Sequence, residues 1–295
     1  MENIIEIKGL VKNYDGFSLK EVGFCLPKGS VMGFIGQNGA GKSTTIKAIL
    51  NLIKTDGGSV TVFGKDSVKD EEAIKEQIGV VFDEPCFHDV LNANQINKVF
   101  KGIYKEWSEE AFFGYMKRFE LPLKRKFKDF SRGMKMKMQI AVALSHNAKL
   151  LIMDEPTSGL DPVVRNEVLD VFMEYLLDGE RSILISSHIT VDLEKIADYV
   201  TFIDKGRIFM SDNKDNVLDN HRIIKCGKSD IDKIDSGDIA GKRENEFGVE
   251  VLIKSNIDRY SDMTLDRATL DEIILFYVKG NHPSPAGHPS KEGNL

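Results

Sequence analysis

The chain has 295 residues, 41% hydrophobic and 29% charged, with 40 basic against 46 acidic side chains. That length suits about two domains, and the ordinary composition excludes a disordered or fibrous chain. The net charge of −6 argues against a general nucleic-acid binder. No apolar run reaches the roughly 20 residues that span a bilayer, and the first residues lack the charged and apolar segments of a signal peptide. Cys25, Cys86 and Cys226 are too widely spaced for a metal site or a disulfide framework. A reduced, cytosolic, globular protein is expected.

In chain order, residues 30–35 read as a buried strand, short, apolar and closed by Gly and Asn. Lys42 to Ile53 then reads as a helix, with Ile46, Ile49, Leu50 and Ile53 at helical spacing. Val60 to Phe63 and Val80 to Phe82 are the next expected strands. From residue 92 to 147 the strand signals stop, and a helical subdomain is expected as an insertion. Ile96, Val99, Phe100 and Ile103 form one apolar stripe there, and Phe112, Tyr115, Met116 and Phe119 another, both expected to face a core. Lys124 to Lys137 holds seven basic residues against Asp129 alone. Such a run suits a solvated face or a place near bound phosphate.

Strands are expected again at Leu150 to Met153, Ile183 to Ser186 and Val200 to Ile203, with a helix opened by Pro162 and running to Leu177. The alternation predicts an α/β domain over residues 1–212, with a largely parallel sheet and ligands beyond its carboxyl ends. Acidic residues outnumber basic ones from Asp212 to Glu272. Strand-like pieces at Arg222 to Lys225 and Phe247 to Ile253, and a helix at Leu270 to Val278, predict a small α+β domain over 213–280. Residues 281–295, rich in Pro, Gly and Ser, read as a disordered tail.

Two motifs carry chemistry without further context. Residues 36–43, Gly-Gln-Asn-Gly-Ala-Gly-Lys-Ser, fit G-x-x-x-x-G-K-[ST] between an expected strand and an expected helix. The glycines let the loop wrap a phosphate, so that backbone N–H groups and the helix N-terminus face the anion. Lys42 is expected on the β- and γ-phosphates, Ser43 on Mg²⁺ and Thr44 near the α-phosphate, with Gln37, Asn38, Gly39, Ala40 and Gly41 forming the rest of the cradle. Residues 150–155, Leu-Leu-Ile-Met-Asp-Glu, end a buried strand in two carboxylates. Asp154 suits the Mg²⁺ shell, and Glu155 suits a base that orients and deprotonates water.

Three further pieces stand in a telling order: Phe130-Ser131-Arg132-Gly133-Met134 before the carboxylate strand, Ser158-Gly159-Leu160-Asp161 after it, and Ser186-Ser187-His188 ending the next strand. With the phosphate loop and the carboxylates, they resemble the signature, D-loop and switch-histidine motifs of ATP-binding-cassette (ABC) ATPases, over roughly Ile4 to Met210. The resemblance implies a phosphate-loop ABC core with the inserted helical subdomain and a C-terminal accessory domain. It implies that Tyr14 stacks on adenine and that His188 contacts the γ-phosphate and couples to Glu155. It also implies that Ser131 and Gly133, with Arg132 between them, meet the ATP held by a second subunit, and that Asp161 communicates between the two sites.

Two motifs depart from the family pattern, the signature and the Q-loop. Arg132 replaces the first glycine of the signature, and Met134 its glutamine. Arg132 could bring positive charge near the phosphate or simply face solvent. Asp83 stands where the Q-loop glutamine is expected, as a metal-shell residue or as a coupling residue only. The resemblance implies an ATPase using ATP and Mg²⁺, paired as a homodimer or with another ABC subunit. It further implies docking on an integral membrane permease at the inner face of the cell membrane, with no nucleic-acid partner. The pattern looks like the exporter branch that handles antibiotics and peptides; a soluble regulatory or translation-associated ABC ATPase is the alternative.

Overall fold

The structure, a computed structural model, describes residues 2–84, 87–244, 246 and 248–279. Cys86, Phe247 and the tail over 281–295 lie outside the described residues. The chain divides into two compact units, Met1–Lys214 and a second that begins at Asp215.

The first unit opens with β1 (Asn3–Tyr14) and β2 (Phe17–Pro27), then β3 (Val31–Ile35), α1 (Lys42–Ile49), β4 (Gly57–Val62), β5 (Lys65–Asp66), α2 (Glu71–Lys75) and β6 (Ile78–Val81). Helices α3 (Ala93–Lys101), α4 (Glu109–Arg118) and α5 (Arg132–Leu144) follow. The unit ends with β7 (Leu150–Asp154), α6 (Pro162–Tyr175), β8 (Ser182–Ser187), α7 (Thr190–Ile196), β9 (Tyr199–Asp204) and β10 (Arg207–Asn213). Two sheets result. One is antiparallel with the order β2-β1-β4-β5; the other has the order β10-β9-β3-β8-β7-β6, parallel except for β10.

The parallel sheet is the one the sequence pattern foretells, because β3, β7 and β8 are buried on both faces and so read as unbroken apolar runs. The antiparallel sheet was not expected. Register shifts interrupt the pairing of β1 and β2 near Asn3, Ile7 and Leu10, and such bulges break the two-residue alternation that marks a strand. Its buried side chains, Ile5, Leu10, Leu26 and Val62, join one core with Phe34, Ile46, Ile152 and Leu184.

Other boundaries move for local reasons. Helix α1 stops at Ile49, short of Ile53, where Leu50 closes it and Asn51 turns left-handed at φ 51°. Helix α6 ends at Tyr175, and Leu177 beyond it is solvent-exposed. The first helical stripe is only partly a core face: Ile96 is buried, whereas Val99 and Ile103 are exposed. In the second stripe Phe112, Met116 and Phe119 are buried, as expected.

Helix α5 lies along β6 and is tied to it by Gln139 within the helix and by His146 just beyond its end. Gln139, fully buried, accepts from the Phe82 N–H at 3.3 Å and donates to the Phe82 carbonyl at 3.0 Å. His146 places Nε2 3.1 Å from the Ile78 carbonyl and stacks on Tyr104. Burial pushes its ring below the ordinary imidazole value, against the opposing pull of the Ile78 and Val142 carbonyls. Close approach is possible because residue 79 is glycine: a Cβ there would stand 2.5 Å from the Ala143 carbonyl oxygen and 2.6 Å from Leu151 Cδ2.

In the second unit, α8 (Lys214–Asp219) leads into β11 (Arg222–Cys226), β12 (Ile239–Glu244), β13 (Val249–Ile253) and β14 (Leu265–Arg267), and α9 (Leu270–Lys279) ends it. The sheet order is β12-β13-β11-β14, wholly antiparallel. Ile224, Val251, Ile253 and Tyr260 form its core. Asp238 organises one end, accepting from the Tyr260 hydroxyl at 2.7 Å and from Ser255 and Asn256 at 2.8 Å each.

Gly79→Ala tests the packing of α5 on β6. The new methyl meets a backbone carbonyl that cannot rotate away, so a loss of about 1–3 kcal/mol is expected. Denaturant unfolding at equilibrium measures it.

Candidate active site

Three neighbouring strands of the parallel sheet, in the order β3-β8-β7, deliver the expected chemistry at their carboxyl ends. After β3 the chain turns through residues 36–41 and enters α1. Gly41 adopts φ 119°, open to glycine but costly for other residues. A Cβ there would also collide with Leu19 Cδ2 at 2.8 Å and the Phe17 ring at 3.1 Å. Helix α1 has no acidic residue in its first turn, so nothing there cancels the partial positive charge of its N-terminus.

Gln37, Asn38, Gly39 and Ser43 are exposed at the mouth of this loop, Thr44 is half-buried, and Ala40 and Lys42 are buried. The Lys42 ammonium donates to the Gly36 carbonyl at 2.7 Å and to that of Gln37 at 3.3 Å. It also lies 3.1 Å from Glu155 Oε1. Lys42 is 5% exposed and Glu155 8%, so this is a buried pair in which each charge needs the other.

Glu155 stands just past β7 with a left-handed backbone, φ 52°, an uncommon conformation for a side chain of this size and one that costs energy. The turn aims its carboxylate at two groups. Oε1 faces Lys42, and Oε2 lies 2.7 Å from His188 Nδ1 and accepts from the His188 backbone N–H at 3.3 Å. Oε1 is buried, and its partner is the Lys42 ammonium in an ion pair rather than a hydrogen-bond donor in good geometry.

Ser186 on β8 arranges both carboxylates. Its hydroxyl donates to Asp154 Oδ1 at 2.5 Å and accepts from the Glu155 N–H at 3.2 Å, while its carbonyl accepts from the same N–H at 3.1 Å. Sequence reasoning treated Ser186 only as part of a strand-end marker. The available signal was a hydroxyl residue closing an apolar run, which needs a hydrogen-bond partner if the strand is buried.

The donor set fits a magnesium ion. Asp154 and Ser43 offer a carboxylate and a hydroxyl, the hard oxygen ligands that Mg²⁺ prefers. No cluster of three acidic, His or Cys side chains that could hold a metal occurs among the described residues. Remaining ligands would come from phosphate and water, the usual pattern for this ion.

A second group of predicted residues gathers on another surface. Ser131 caps α5 by accepting from the Met134 N–H at 3.3 Å, and Asp161 caps α6 by accepting from Val163 and Val164 at 3.1 Å each. Ser131, Gly133, Met134, Lys137, Leu160 and Asp161 line a shallow cavity of 160 Å³. Arg132 neither faces solvent alone nor lies in this cavity wall; its Nη2 donates to Asp83 Oδ1 at 2.8 Å. Tyr14, at the end of β1, is 47% exposed with the Lys12 ammonium 5.0 Å above its ring. It is Phe17, across the same hairpin, whose ring lies against Gly41.

Known proteins are similar to this chain in sequence and fold. The family described as ABC transporter matches residues 19–158. The bacitracin transport ATP-binding protein BcrA of Bacillus licheniformis is 34% identical over 70% of this chain and 69% of its own. The lantibiotic transport ATP-binding protein SrtF of Streptococcus pyogenes is 34% identical over 75% of this chain and 98% of its own. A solved ATP-binding subunit of an ABC transporter superposes with a TM-score of 0.67 at 28% identity, covering 73% of this chain and 92% of that one.

Ser186→Ala removes a hydrogen bond to a carboxylate, an interaction whose loss corresponds to roughly ten- to a hundred-fold in rate. Steady-state ATPase assays over a range of Mg²⁺ concentrations should show kcat falling by that factor, with more Mg²⁺ needed for half-maximal rate.

Proposed function

The chain belongs to the ABC transporter ATP-binding family, and from that premise we propose that it powers export of an amphipathic peptide or antibiotic through a separate permease. It is an ATPase subunit. The observation that carries the mechanism is the Glu155 carboxylate, bracketed by Lys42 on one side and His188 on the other.

ATP lies with its β- and γ-phosphates in the 36–43 loop. Lys42 then exchanges the Gly36 and Gln37 carbonyls for phosphate oxygens, where a charged donor binds more strongly. Ser43 and Asp154 would hold Mg²⁺, which would supply screening of the phosphate charge. Glu155 accepts the proton of the attacking water through Oε1, the oxygen paired with Lys42 in the protein. His188 keeps Oε2 fixed, and its ring, with the side chain 43% exposed, is the group assigned to the γ-phosphate in this reading. Tyr14 or Phe17 covers the base.

The surface formed by Ser131, Gly133 and Asp161 is then offered to the ATP of a second subunit, and closure of the pair is the power stroke. No helix among the described residues is long and apolar enough to cross a membrane, so this reading requires a membrane partner. The cargo class rests on the likeness to the bacitracin and lantibiotic transport subunits.

Purification of the tagged chain from its native membranes tests the proposal. A multi-span permease should accompany it, and bacitracin or a lantibiotic should stimulate the ATPase of the complex. Lys42→Ala should abolish both basal and stimulated activity. Recovery of active chain with no membrane protein would favour the permease-free alternative.

A further inference from the structure

Two of the three residues that depart from the family pattern, Asp83 and Arg132, are partners. They stand 49 positions apart, and Arg132 Nη2 lies 2.8 Å from Asp83 Oδ1. The guanidinium also lies flat over the backbone of Gly159, where a Cβ would come within 2.9 Å of Nη1 and 3.0 Å of Cζ. One side chain therefore touches the loop after β6, the first turn of α5 and the loop before α6.

Two features make this pair easy to open. Both side chains are about half exposed, 46% for Asp83 and 56% for Arg132, and exposed ion pairs add little to stability. The seating of α5 on β6 is secured elsewhere. Gln139 binds Phe82 through both backbone groups, and His146 reaches Ile78. Arg132 opens α5 and is solvent-exposed, whereas Gln139 near the end of the helix and His146 just beyond it are buried. Opening the Asp83–Arg132 pair leaves the packing intact.

A guanidinium fork fits a phosphate as well as a carboxylate, and a triphosphate carries more charge than one aspartate. Ser131 and Gly133, on either side of Arg132, are the residues that the proposed function places against the second subunit's ATP. We propose that Arg132 is an exchangeable cation, held by Asp83 in the resting chain and transferred to the terminal phosphate of the opposite subunit's ATP on closure. This rests on the shared-site reading given above. Asp83 then acts as the internal competitor for that arginine, and it sets how much ATP is needed to close the pair.

The exchange makes opposite demands on its two partners. The test uses full-length chain carrying Glu155→Gln to block hydrolysis, with the monomer–dimer balance followed by light scattering as Mg-ATP is titrated. Asp83→Asn frees the arginine and should lower the ATP needed for half-closure by about two- to fivefold, the range of an exposed pair. Arg132→Ala removes a charge-assisted contact to phosphate and should raise it by about tenfold or more. The double variant should follow Arg132→Ala. Arg132→Gln replaces it should the alanine variant melt early.

Three variants that match the parent would make the pair an ordinary surface contact and overturn the proposal. So would an Asp83→Asn effect that raises the requirement, or one that persists without the arginine, since Asp83 would then act by itself. A parent that never pairs with Mg-ATP overturns the shared-site reading, and the exchange with it.

Discussion

A carboxylate buried at the end of an apolar strand is costly unless its charge is answered. Glu155 is 8% exposed, and its answer is Lys42, 3.1 Å away on the neighbouring phosphate loop. Much of the surrounding architecture serves that pair. The left-handed backbone at Glu155 turns the side chain toward the loop, Gly41 lets the loop pass close enough to place the lysine, and His188 fixes the second oxygen. In the proposed mechanism Lys42 is both the ligand for phosphate and the counter-ion of the base, and a triphosphate draws the ammonium toward a stronger anion and leaves Glu155 freer to take a proton.

The sheet makes this economical. Because β7, β8 and β3 are adjacent and parallel, their carboxyl ends bring the two carboxylates, the histidine and the phosphate loop together without long connections. Ser186 on the middle strand holds one carboxylate by its side chain and the next residue's amide by its hydroxyl and carbonyl. The signature surface is built differently, on the N-termini of α5 and α6. Its position depends on how α5 is tied to β6, through Gln139, His146 and the gap at Gly79.

Much of this was legible in the sequence, and the reasons for the misses are specific. Strands β3, β7 and β8 are short and apolar throughout, and the phosphate loop and the Asp154–Glu155 pair follow them directly, so position and chemistry were read together. Strands β1 and β2 were hidden because bulges spoil their alternation. Val99 and Ile103 sit at helical spacing yet face solvent, since periodicity cannot say whether a partner covers a stripe. Gln139 and Ser186 were missed because a lone polar residue in an apolar run gives no hint of its hydrogen-bond partner. The Asp83–Arg132 contact was invisible for another reason: each residue looked like a separate oddity until the fold placed them 2.8 Å apart.

The central claim is that Glu155 removes the proton from the attacking water. Glu155→Gln keeps the shape of the side chain and its contact with Lys42 while removing the basic oxygen. Single-turnover hydrolysis, measured beside equilibrium Mg-ATP binding, tests the claim most directly. The expected rate is reduced by roughly 10²–10⁴-fold with binding retained; hydrolysis at the wild-type rate would remove Glu155 from the role of base.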